Sequence, residues 1–395
     1  MPRPLPRELM EQILGDECLR NSDFARYCRL SKDWLNFFRE RLYSRIDVDL
    51  CEADFVEEDE EDTQLVKYQH SVRNLDLLSR LSTFPAVAGH VKAVRFERTY
   101  AEGCGVYTTP LTLFASIVYL CPSIDAVNFP AWVQGECIPY LTKLCAETGR
   151  RFIIIDMGAP LDTMWPLLEG VQDKLQHLRF GHLAGNLPQG NWCISDPPPV
   201  SLPALHLRSL SLPWWQDRFT TAYRQVTFDA LVQHSHSSLQ SIEVAFSPHV
   251  TLDFSPFAHL RALSLRACSS DHIQAVYNVI RSATCLTSLI LYGGFNSSET
   301  ERLIGASATS GLAAHLSPSL IRLELPHATA LPPSVLLLLE HLPVNHPLRL
   351  LHFRKPPIKR ENKIRLHQGF PPRQKEDYTA VEEACRERGI ELQLT

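Results

Sequence analysis

The sequence Leu-Arg-Ser-Leu-Ser-Leu at residues 207–212 has a leucine spacing that recurs along this chain. Strict copies of Leu-x-x-Leu-x-Leu return at 260–265, 286–291 and 320–325, and an overlapping copy uses Leu202, Leu205 and Leu207. At this leucine content, chance alone would give roughly one strict copy, whereas self-similarity at a fixed period is the signature of stacked repeats. A stack of repeats more often presents a surface that holds partners than a pocket for chemistry.

Looser copies extend the pattern in both directions, with other apolar residues at the three inward positions. They are Val91/Val94/Phe96, Ile124/Val127/Phe129, Phe152/Ile155/Met157, Leu175/Leu178/Phe180, Leu239/Ile242/Val244 and Leu348/Leu351/Phe353. Most of these copies follow a stretch whose apolar residues have helical spacing, and the predicted helices are 111–120, 138–145, 228–232, 273–280 and 335–342. A last helix at 378–388 and a strand at 390–394 are predicted at the end of the sequence. Strand starts recur every ~20–35 residues, which is the range of leucine-rich repeats.

The predicted fold class is therefore α/β, with a leucine-rich-repeat solenoid that has parallel strands on its concave face and helices on its convex face. A module of three short helices, residues 1–50, precedes the solenoid and is too small to build much core alone. An acidic linker is expected at 51–70 and the repeat array at 71–395. A proline-rich loop at 186–203 and a basic insertion at 354–375 interrupt the array.

Two charged segments leave alternatives open. The run Glu-Glu-Asp-Glu-Glu-Asp at 57–62 is typical of a solvated loop, and contact with a basic partner is the alternative. The basic insertion at 354–375 is also interpreted as a solvated loop, and the alternatives are a nuclear-import signal or contact with an acidic surface. The formal net charge of −5 gives no reason to expect nucleic acid as a partner.

The composition indicates where in the cell the protein is expected and whether its cysteines are reduced. No stretch approaches the ~18 apolar residues of a membrane span, and the N-terminus lacks the apolar segment of a secretory signal. A cytoplasmic or nuclear location is therefore expected, without a membrane partner. The 11 cysteines are scattered and include no Cys-x-x-Cys pair, so they are predicted to be reduced thiols. Cys268, just after the strand of 260–265, is predicted to be buried and structural.

The sequence contains no recognisable catalytic or cofactor-binding motif. It has no glycine-rich phosphate or dinucleotide loop, no His-Glu-x-x-His and no nucleophile elbow. His234 and His236 are two residues apart and would point to different faces of a helix, with no adjacent cysteine or carboxylate to complete a metal site. The chain is accordingly predicted to be non-catalytic, without a cofactor or a metal.

Three motifs occur together and in order within the first 46 residues. Residues 5–14 read Leu-Pro-Arg-Glu-Leu-Met-Glu-Gln-Ile-Leu, residues 27–34 read Tyr-Cys-Arg-Leu-Ser-Lys-Asp-Trp, and residues 42–46 read Leu-Tyr-Ser-Arg-Ile. In this combination, followed by leucine-rich repeats, the segment resembles the F-box of fungal F-box proteins with C-terminal leucine-rich repeats. The resemblance implies a docking module for the Skp-type linker subunit of cullin–RING ubiquitin ligases.

The resemblance also implies which residues bind the linker subunit. Carried over from the motif, the contact or supporting residues are Leu5, Pro6, Leu9, Ile13, Leu14, Leu30 and Trp34. A small helical module with this much apolar surface is suited to docking on another helical protein. The alternative is that these helices only cap the solenoid, because terminal repeats need a cap.

Target binding is expected at the positions between the leucines, which point away from the core. The candidate residues are Arg179, Arg208, Trp214, Trp215, Glu243, Arg261, Arg322 and Glu324. Four smaller or apolar residues are expected on the same face: Ser211, Ser264, Thr287 and Ile290. The tryptophan pair is the sharpest candidate because aromatic residues are enriched at interface hot spots, and burial under a neighbouring loop is its alternative.

The module and the array together predict the substrate receptor, or adaptor, of a cullin–RING ubiquitin ligase. Its partners would be the linker subunit and a protein target destined for ubiquitin-dependent degradation. The alternative is a protein-interaction scaffold whose N-terminal helices only cap the repeats and which has no role in ubiquitin ligation. The residues between the leucines do not reveal the identity of the target.

Overall fold

Short parallel strands alternate with helices along most of the described part of the chain. The structure, a computed structural model, describes residues 43–51, 76–99, 110–128, 134–149, 152–157, 161–180, 204–212, 221–246, 250–266, 268, 270–293, 295, 297–305, 311–355 and 377–395. They belong to two units, Met1–Val171 and Gln172–Thr395. In each unit the strands follow one another across the sheet in chain order. The predicted α/β class with parallel strands is therefore confirmed.

The described residues of the first unit form four strands, and each described pairing between them is parallel. The strands are β1 (Arg45–Cys51), β2 (Ala93–Thr99), β3 (Ala126–Asn128) and β4 (Ile154–Met157). The helices are residues 76–83, Pro85–Ala88, Pro110–Leu120, Gln134–Thr148 and Leu161–Val171. Strand and helix meet through aromatic side chains, as where the Phe96 and Phe114 rings pack edge to face with centroids 5.7 Å apart. The loosely patterned residues Val94 and Val127 are buried as predicted.

Strand β1 was not predicted from the sequence, which placed residues 45–50 in the helical module. The strand pairs with β2 along its whole length, from Arg45 beside Ala93 to Cys51 beside Thr99. Alternating apolar residues in its sequence, Arg-Ile-Asp-Val-Asp-Leu-Cys, explain the strand, since one side of it can face a core. Val48 is 1% exposed. The repeat sheet therefore begins before the acidic segment rather than after it.

Eight parallel strands are formed by the residues of the second unit that the structure describes. They are β5 (His177–Phe180), β6 (Ser209–Leu212), β7 (Ser241–Ala245), β8 (Ala262–Arg266), β9 (Ser288–Leu291), β10 (Arg322–Thr329), β11 (Leu350–Arg354) and β12 (Glu391–Leu394). The α-helices are Thr221–Val232, Ile273–Ser282, Ser297–Ile304, Pro332–His341 and Thr379–Glu387, with short 3-10 helices at Ser270–His272 and Leu312–His315. The predicted helices and the terminal strand are confirmed.

The leucines of the strict pattern form the core of this unit. The register aligns the middle leucine of each copy with its counterpart on the next strand, giving the row Leu178, Leu210, Ile242, Leu263, Leu289, Leu323 and Leu351. Each side chain in this row is 1% exposed or less. The same inward position therefore repeats from strand to strand, as the spacing predicts.

The overlapping copy at Leu202, Leu205 and Leu207 is not a repeat of its own. Leu205 and Leu207 are buried, but residues 204–207 precede β6 and are not a strand, and Leu202 lies outside the described residues. Leu207 already opens the copy at 207–212, so within the described residues the overlapping spacing does not mark a strand of its own.

Serine hydroxyls join the turns of successive repeats. Ser235 Oγ donates to the Leu205 carbonyl (2.8 Å) and accepts from the Leu207 N–H (2.9 Å), and Ser238 Oγ donates to the Leu207 carbonyl (2.8 Å). Ser317 Oγ makes the same kind of bond to a preceding turn, at the Thr284 carbonyl (2.8 Å). These backbone groups lie before the strands begin, so the hydroxyls satisfy polar groups that the sheet itself does not reach.

A buried histidine packs between successive repeats on the helical side. His315 is 8% exposed, its ring centroid lies 4.5 Å from that of Tyr277, and its Nδ1 is 3.0 Å from an Arg281 nitrogen. The Tyr277 hydroxyl in turn donates to the Leu303 carbonyl. Burial, with a further contribution from the Arg281 charge, lowers the pKa of His315. The imidazole is therefore held neutral in the folded protein.

Cys268 is buried, as predicted. Its thiol lies 3.7 Å from the Leu265 carbonyl oxygen, and burial raises its pKa to about 12. A thiol held protonated in this way is a poor nucleophile, so the residue fills space between repeats rather than reacting.

Substituting Ser235 tests the turn bonds. Ser235→Ala leaves the Leu207 N–H and the Leu205 carbonyl without their partner in a buried turn, so we expect the free energy of unfolding to fall by about 2 kcal/mol. Urea denaturation monitored by circular dichroism measures the change. Ser237→Ala, at an exposed neighbouring serine, is the control. Equal stability of the two variants would contradict a structural role for the Ser235 hydroxyl.

Acid should destabilise the second unit through His315. Its folded pKa is lower than the unfolded value near 6.5, so below that pH the unfolded chain binds more protons and unfolding becomes easier. We expect the free energy of unfolding to fall less steeply between pH 7.5 and 5.5 in His315→Gln than in the wild type. The two slopes should differ by less than about 1.4 kcal/mol per pH unit, the limit for one titrating group. Denaturant titrations at several pH values measure this slope. A wild-type slope in His315→Gln would refute the assignment.

Candidate functional site

The side chains that alternate with the buried leucines form one outward row across the second unit. The register aligns them in the order Arg179, Ser211, Glu243, Ser264, Ile290, Glu324, His352 and Gln393. Their exposure is uneven, because Arg179 is exposed whereas Ser211 and Glu324 are each only 8% exposed. The two least exposed members take part in two hydrogen-bonded clusters.

The first cluster is built around Glu243 on β7. Ser211 Oγ donates to Glu243 Oε2 from β6 (2.6 Å), and Arg266 Nε donates to Glu243 Oε1 from β8. The Arg266 guanidinium lies 4.4 Å from the centroid of the Tyr292 ring, in a cation–π contact. The Tyr292 ring is followed by the His327 ring, 5.7 Å away between centroids. The cluster therefore links five consecutive strands and fixes the orientation of an arginine and an aromatic ring before any partner binds.

The second cluster is built around Glu324 on β10. Arg322 Nε donates to Glu324 Oε1, and His352 Nδ1 lies 3.1 Å from Glu324 Oε2. The other ring nitrogen of His352 lies 3.2 Å from the Thr395 hydroxyl. Burial is the largest single influence and acts to raise the pKa of Glu324, but the hydrogen bonds and charges of Arg322 and His352 together outweigh it and lower the pKa. The carboxylate is therefore ionised and fully engaged.

The order carboxylate, imidazole and hydroxyl in this second cluster is also that of a hydrolytic triad. Acyl transfer requires, in addition, free N–H donors placed where an oxyanion develops. The backbone of Thr395 is committed to the sheet, since its N–H donates to the Phe353 carbonyl (3.1 Å) and its own carbonyl accepts from the Lys355 N–H (2.7 Å). The Thr395 backbone N–H is therefore not free to stabilise an oxyanion, and the cluster joins the last three strands.

The structure divides the predicted target-binding residues into three groups. Glu243, Arg322 and Glu324 lie on the sheet and are engaged in the two clusters. Arg179 is exposed on the outward row, whereas Arg208 and Arg261 are exposed just before β6 and β8 begin. The expectation that Arg208 and Arg261 lie on the sheet face is therefore corrected, because both belong to its edge. Trp214 and Trp215 lie outside the described residues.

The residues predicted to bind the linker subunit all lie outside the described residues. They are Leu5, Pro6, Leu9, Ile13, Leu14, Leu30 and Trp34. The proline-rich loop at 186–203 and the acidic run at 57–62 also lie outside them, as does the basic insertion from residue 356 onwards. Arg354, the first residue assigned to that insertion, is instead the last residue of β11.

Sequence reasoning missed three of the five residues of the first cluster and two of the four of the second. It did not single out Arg266, Tyr292 or His327 in the first cluster, or His352 and Thr395 in the second. Arg266 and Tyr292 each lie two residues beyond an outward residue that the sequence analysis had identified, Ser264 and Ile290 respectively. Alternation along a strand continues past the last leucine, so extending the count by one outward position would have found both.

The described residues hold no candidate metal site. No three His, Cys, Asp or Glu side chains gather within the ranges that the structure describes. The His236 ring packs edge-on against Phe257 with centroids 4.9 Å apart, and the carbonyl of His234 is 2.9 Å from His206 Nδ1. In the described part of the chain, no helix is both long and apolar enough to cross a membrane.

The first unit has an open groove of about 620 Å³ between its helices. Residues 76–83 and the helix Pro110–Leu120 form most of its walls, with Tyr140 from the next helix. The side chains are mainly apolar or hydroxyl-bearing, and no carboxylate, imidazole or thiol lines it. The groove therefore offers shape without acid–base chemistry.

The fold and the two clusters together define a repeat protein with an outward sheet face of prearranged polar side chains. No protein-family model matches the chain, and no curated protein matches it. Among solved structures, it is similar to a chain in the crystal structure of the Rad7 and Elc1 complex in yeast, at 12% sequence identity and a TM-score of 0.31. That likeness covers 88% of this chain and 66% of the other. A TM-score this low carries no argument about function.

Removing Glu324 should uncouple the last three strands. Glu324→Ala leaves Arg322 and His352 without their shared acceptor at a mostly buried position, so we expect a loss of about 2 kcal/mol in the free energy of unfolding at pH 7. Glu324→Gln keeps an acceptor and should lose less. Urea denaturation compares both with Glu391→Ala, an exposed carboxylate on β12 whose loss should not be measurable. A stable Glu324→Ala variant would contradict the coupling.

Proposed function

We propose that this chain is the substrate receptor of a cullin–RING ubiquitin ligase. Its N-terminal helices would bind the Skp-type linker subunit, and its repeats would hold a protein target. The observation that carries the proposal is the pairing of an F-box-like motif with repeats whose polar side chains are arranged on an outward sheet face. The proposed location is the cytoplasm, the nucleus or both.

The repeat half of the proposal is supported by the state of the charged groups. On the sheet face, Glu243 and Glu324 already have their hydrogen-bond partners, so neither is available as a general base or a nucleophile. Side chains held in this way lose little further freedom when a partner docks, which favours affinity. We therefore propose a chain that performs no bond chemistry and that raises the concentration of its target near the catalytic arm of the ligase.

The linker half of the proposal is supported by the sequence motifs. Leu9 and Ile13 are four residues apart, so they would lie on one face of a helix and form an apolar stripe. Leu5-Pro6 would open this helix, and Trp34 would contribute from the last helix of the module. A stripe of this kind on a small module is suited to a groove on another helical protein.

The alternative function is a scaffold whose N-terminal helices cap the repeats. It is favoured by the need of terminal repeats for a polar cap over their exposed core. The two functions differ in one measurable property, which is binding to the linker subunit.

Co-purification with a Skp-type linker subunit tests the proposal. We expect the full chain to retain the linker, and Leu9→Asp or Ile13→Asp to reduce binding at least about tenfold because a charge enters the apolar contact. Isothermal titration calorimetry measures the affinity. Gln12→Asp adds the same charge beside Ile13 at a polar position and should bind as the wild type does.

Two outcomes would refute the linker role. Absence of linker binding by the wild-type chain would refute it directly. Loss of binding in Gln12→Asp equal to that in Ile13→Asp would show that the apolar stripe is not the contact. A lower melting temperature in Leu9→Asp without any linker binding in the wild type would support the capping function.

A further inference from the structure

One aligned row of residues marks the edge of the second unit where its strands begin. Backbone hydrogen bonds of 2.7–2.8 Å connect each of these residues to the next, one per repeat: Arg208, Gln240, Arg261, Thr287, Ile321 and Arg349. We call this set the edge row. Adjacent strands lie about 4.8 Å apart, so the row extends over about 24 Å in a straight line. Its side chains precede the strands and are separate from the two clusters on the sheet face.

The edge row is basic, and its arginines form no ion pair with any residue that the structure describes. Arg208, Arg261 and Arg349 are all exposed. Among the described residues, none of the three forms an ion pair, in contrast to Arg266 and Arg322, which bind carboxylates on the sheet face. Three exposed guanidinium groups in one row create a positive potential along this edge, which would attract an acidic partner.

The surrounding turns contain no opposing charge. The segments 204–210, 233–241, 255–262, 283–288, 316–322 and 342–350 lead into the six strands and include no aspartate or glutamate. They do contain histidines, at positions 206, 234, 236, 259 and 346. Two residues before these segments, the Asp253 carboxylate accepts hydrogen bonds from Ser255, whereas Glu340 is exposed. Exposed Glu391 lies on the strand after Arg349, where its N–H donates to the Arg349 carbonyl. Within the six segments the formally charged side chains are therefore all basic, in a chain whose net charge is −5.

The exposed apolar side chains of the second unit lie at this same edge. Among its described residues, only Ile321, at 44%, and Val344, at 86%, are large hydrophobic side chains with high exposure. Ile321 belongs to the edge row between Arg261 and Arg349, and Val344 lies in the turn that precedes Arg349. One apolar residue, Ile321, thus lies between two arginines of this line, with Val344 in the adjacent turn, which is the complement of an acidic segment that carries an apolar residue.

We infer that the edge row binds an extended acidic segment of a partner protein, with an apolar side chain of that segment against Ile321. A segment of about eight residues in extended conformation spans the row. Its carboxylates would meet Arg208, Arg261 and Arg349, the first two about 10 Å apart and the last about 14 Å further on. If the chain is the proposed receptor, its target is a protein that contains such an acidic segment. Only the role of the partner as a ligase target rests on the proposed function.

A nucleic acid fits this edge less well than a protein segment. Nucleic-acid-binding domains present dense basic patches and high isoelectric points, whereas this chain has an isoelectric point of about 6.3. A phosphate backbone would also leave Ile321 and Val344 without an apolar counterpart. The row of separated arginines with apolar groups among them favours a polypeptide.

Fluorescence polarisation with the full chain tests the inference. The probe is the labelled peptide Asp-Ser-Ser-Asp-Ser-Ser-Leu-Asp, and the comparison peptides replace every Asp by Asn or the Leu by Ser. We expect the Asp peptide to bind, its affinity to fall as salt is raised, and the Asn peptide to bind at least about tenfold more weakly. Each of Arg208→Ala, Arg261→Ala and Arg349→Ala should weaken binding about two- to fivefold, and the triple variant at least about tenfold.

Two controls make the test specific to the edge. Arg354→Ala removes an exposed arginine from the opposite end of β11, the strand that follows Arg349, and should not change binding. Ile321→Ser should weaken binding of the Leu peptide and not that of the Ser peptide, which is the signature of a direct contact in a double-mutant cycle. Circular dichroism confirms that each variant is folded.

Three outcomes would overturn the inference. Equal binding of the Asp and Asn peptides would exclude charge recognition, and an unchanged affinity in the triple variant would exclude the edge row. Tighter binding of a single-stranded oligonucleotide, lost on the same arginine substitutions, would assign the edge to nucleic acid. Linker co-purification is independent of all three, so failure of the peptide test leaves the proposed ligase role standing, and failure of linker binding leaves the peptide site standing.

Discussion

Burial of the same apolar position on every strand, in register with its neighbours, is the constraint on which the rest of the structure depends. Each buried leucine contributes about 1.5–3 kcal/mol relative to an exposed one. One strand with its helix cannot enclose that side chain, so each repeat depends on the next. Parallel strands also need crossover connections of a dozen or more residues, which the helices supply. Once the inward positions are fixed, the outward positions and the edges are free to carry recognition.

The charged groups of the second unit are used in two different ways. On the sheet face, Glu243 and Glu324 are enclosed by hydrogen bonds, and their arginine partners are held against the sheet. At the edge, Arg208, Arg261 and Arg349 remain exposed. A paired charge has little influence on distant molecules, whereas an unpaired charge attracts them over about a Debye length. The face is therefore suited to shape complementarity and the edge to electrostatic attraction.

The sequence predicted the inward half of the fold far better than the outward half. The strict spacing located β6, β8, β9 and β10, because three buried leucines in six residues leave one solution for the backbone. Strand β1 was missed because its three apolar residues follow a segment with helical motifs, and a local pattern does not reveal a distant pairing with β2. The overlapping copy at Leu205 was misjudged because burial in a turn and burial in a strand require the same residue types.

The candidate site was harder to predict, because it depends on register rather than on spacing. Glu243 and Glu324 were identified as outward residues, but apart from Arg322 their partners come from neighbouring strands more than twenty residues away. The edge row could not be recognised from the sequence, since Arg208 and Arg349 belong to one line only after five strand pairings are known. Residue types determine what each strand buries, and only the stacking determines which exposed residues meet.

The serine bonds between turns also limit how such a chain can change by duplication or exchange of repeats. Ser235 satisfies the backbone of the turn before β6, although it belongs to the turn before β7. A strand and its helix are therefore not a self-sufficient module here, because the turns before β6 and β9 each depend on hydroxyls supplied by the following turn. A repeat inserted or removed at a strand boundary would separate a turn from its hydroxyl. The interchangeable unit of this array must extend from one turn through the next, so that donor and acceptor are transferred together.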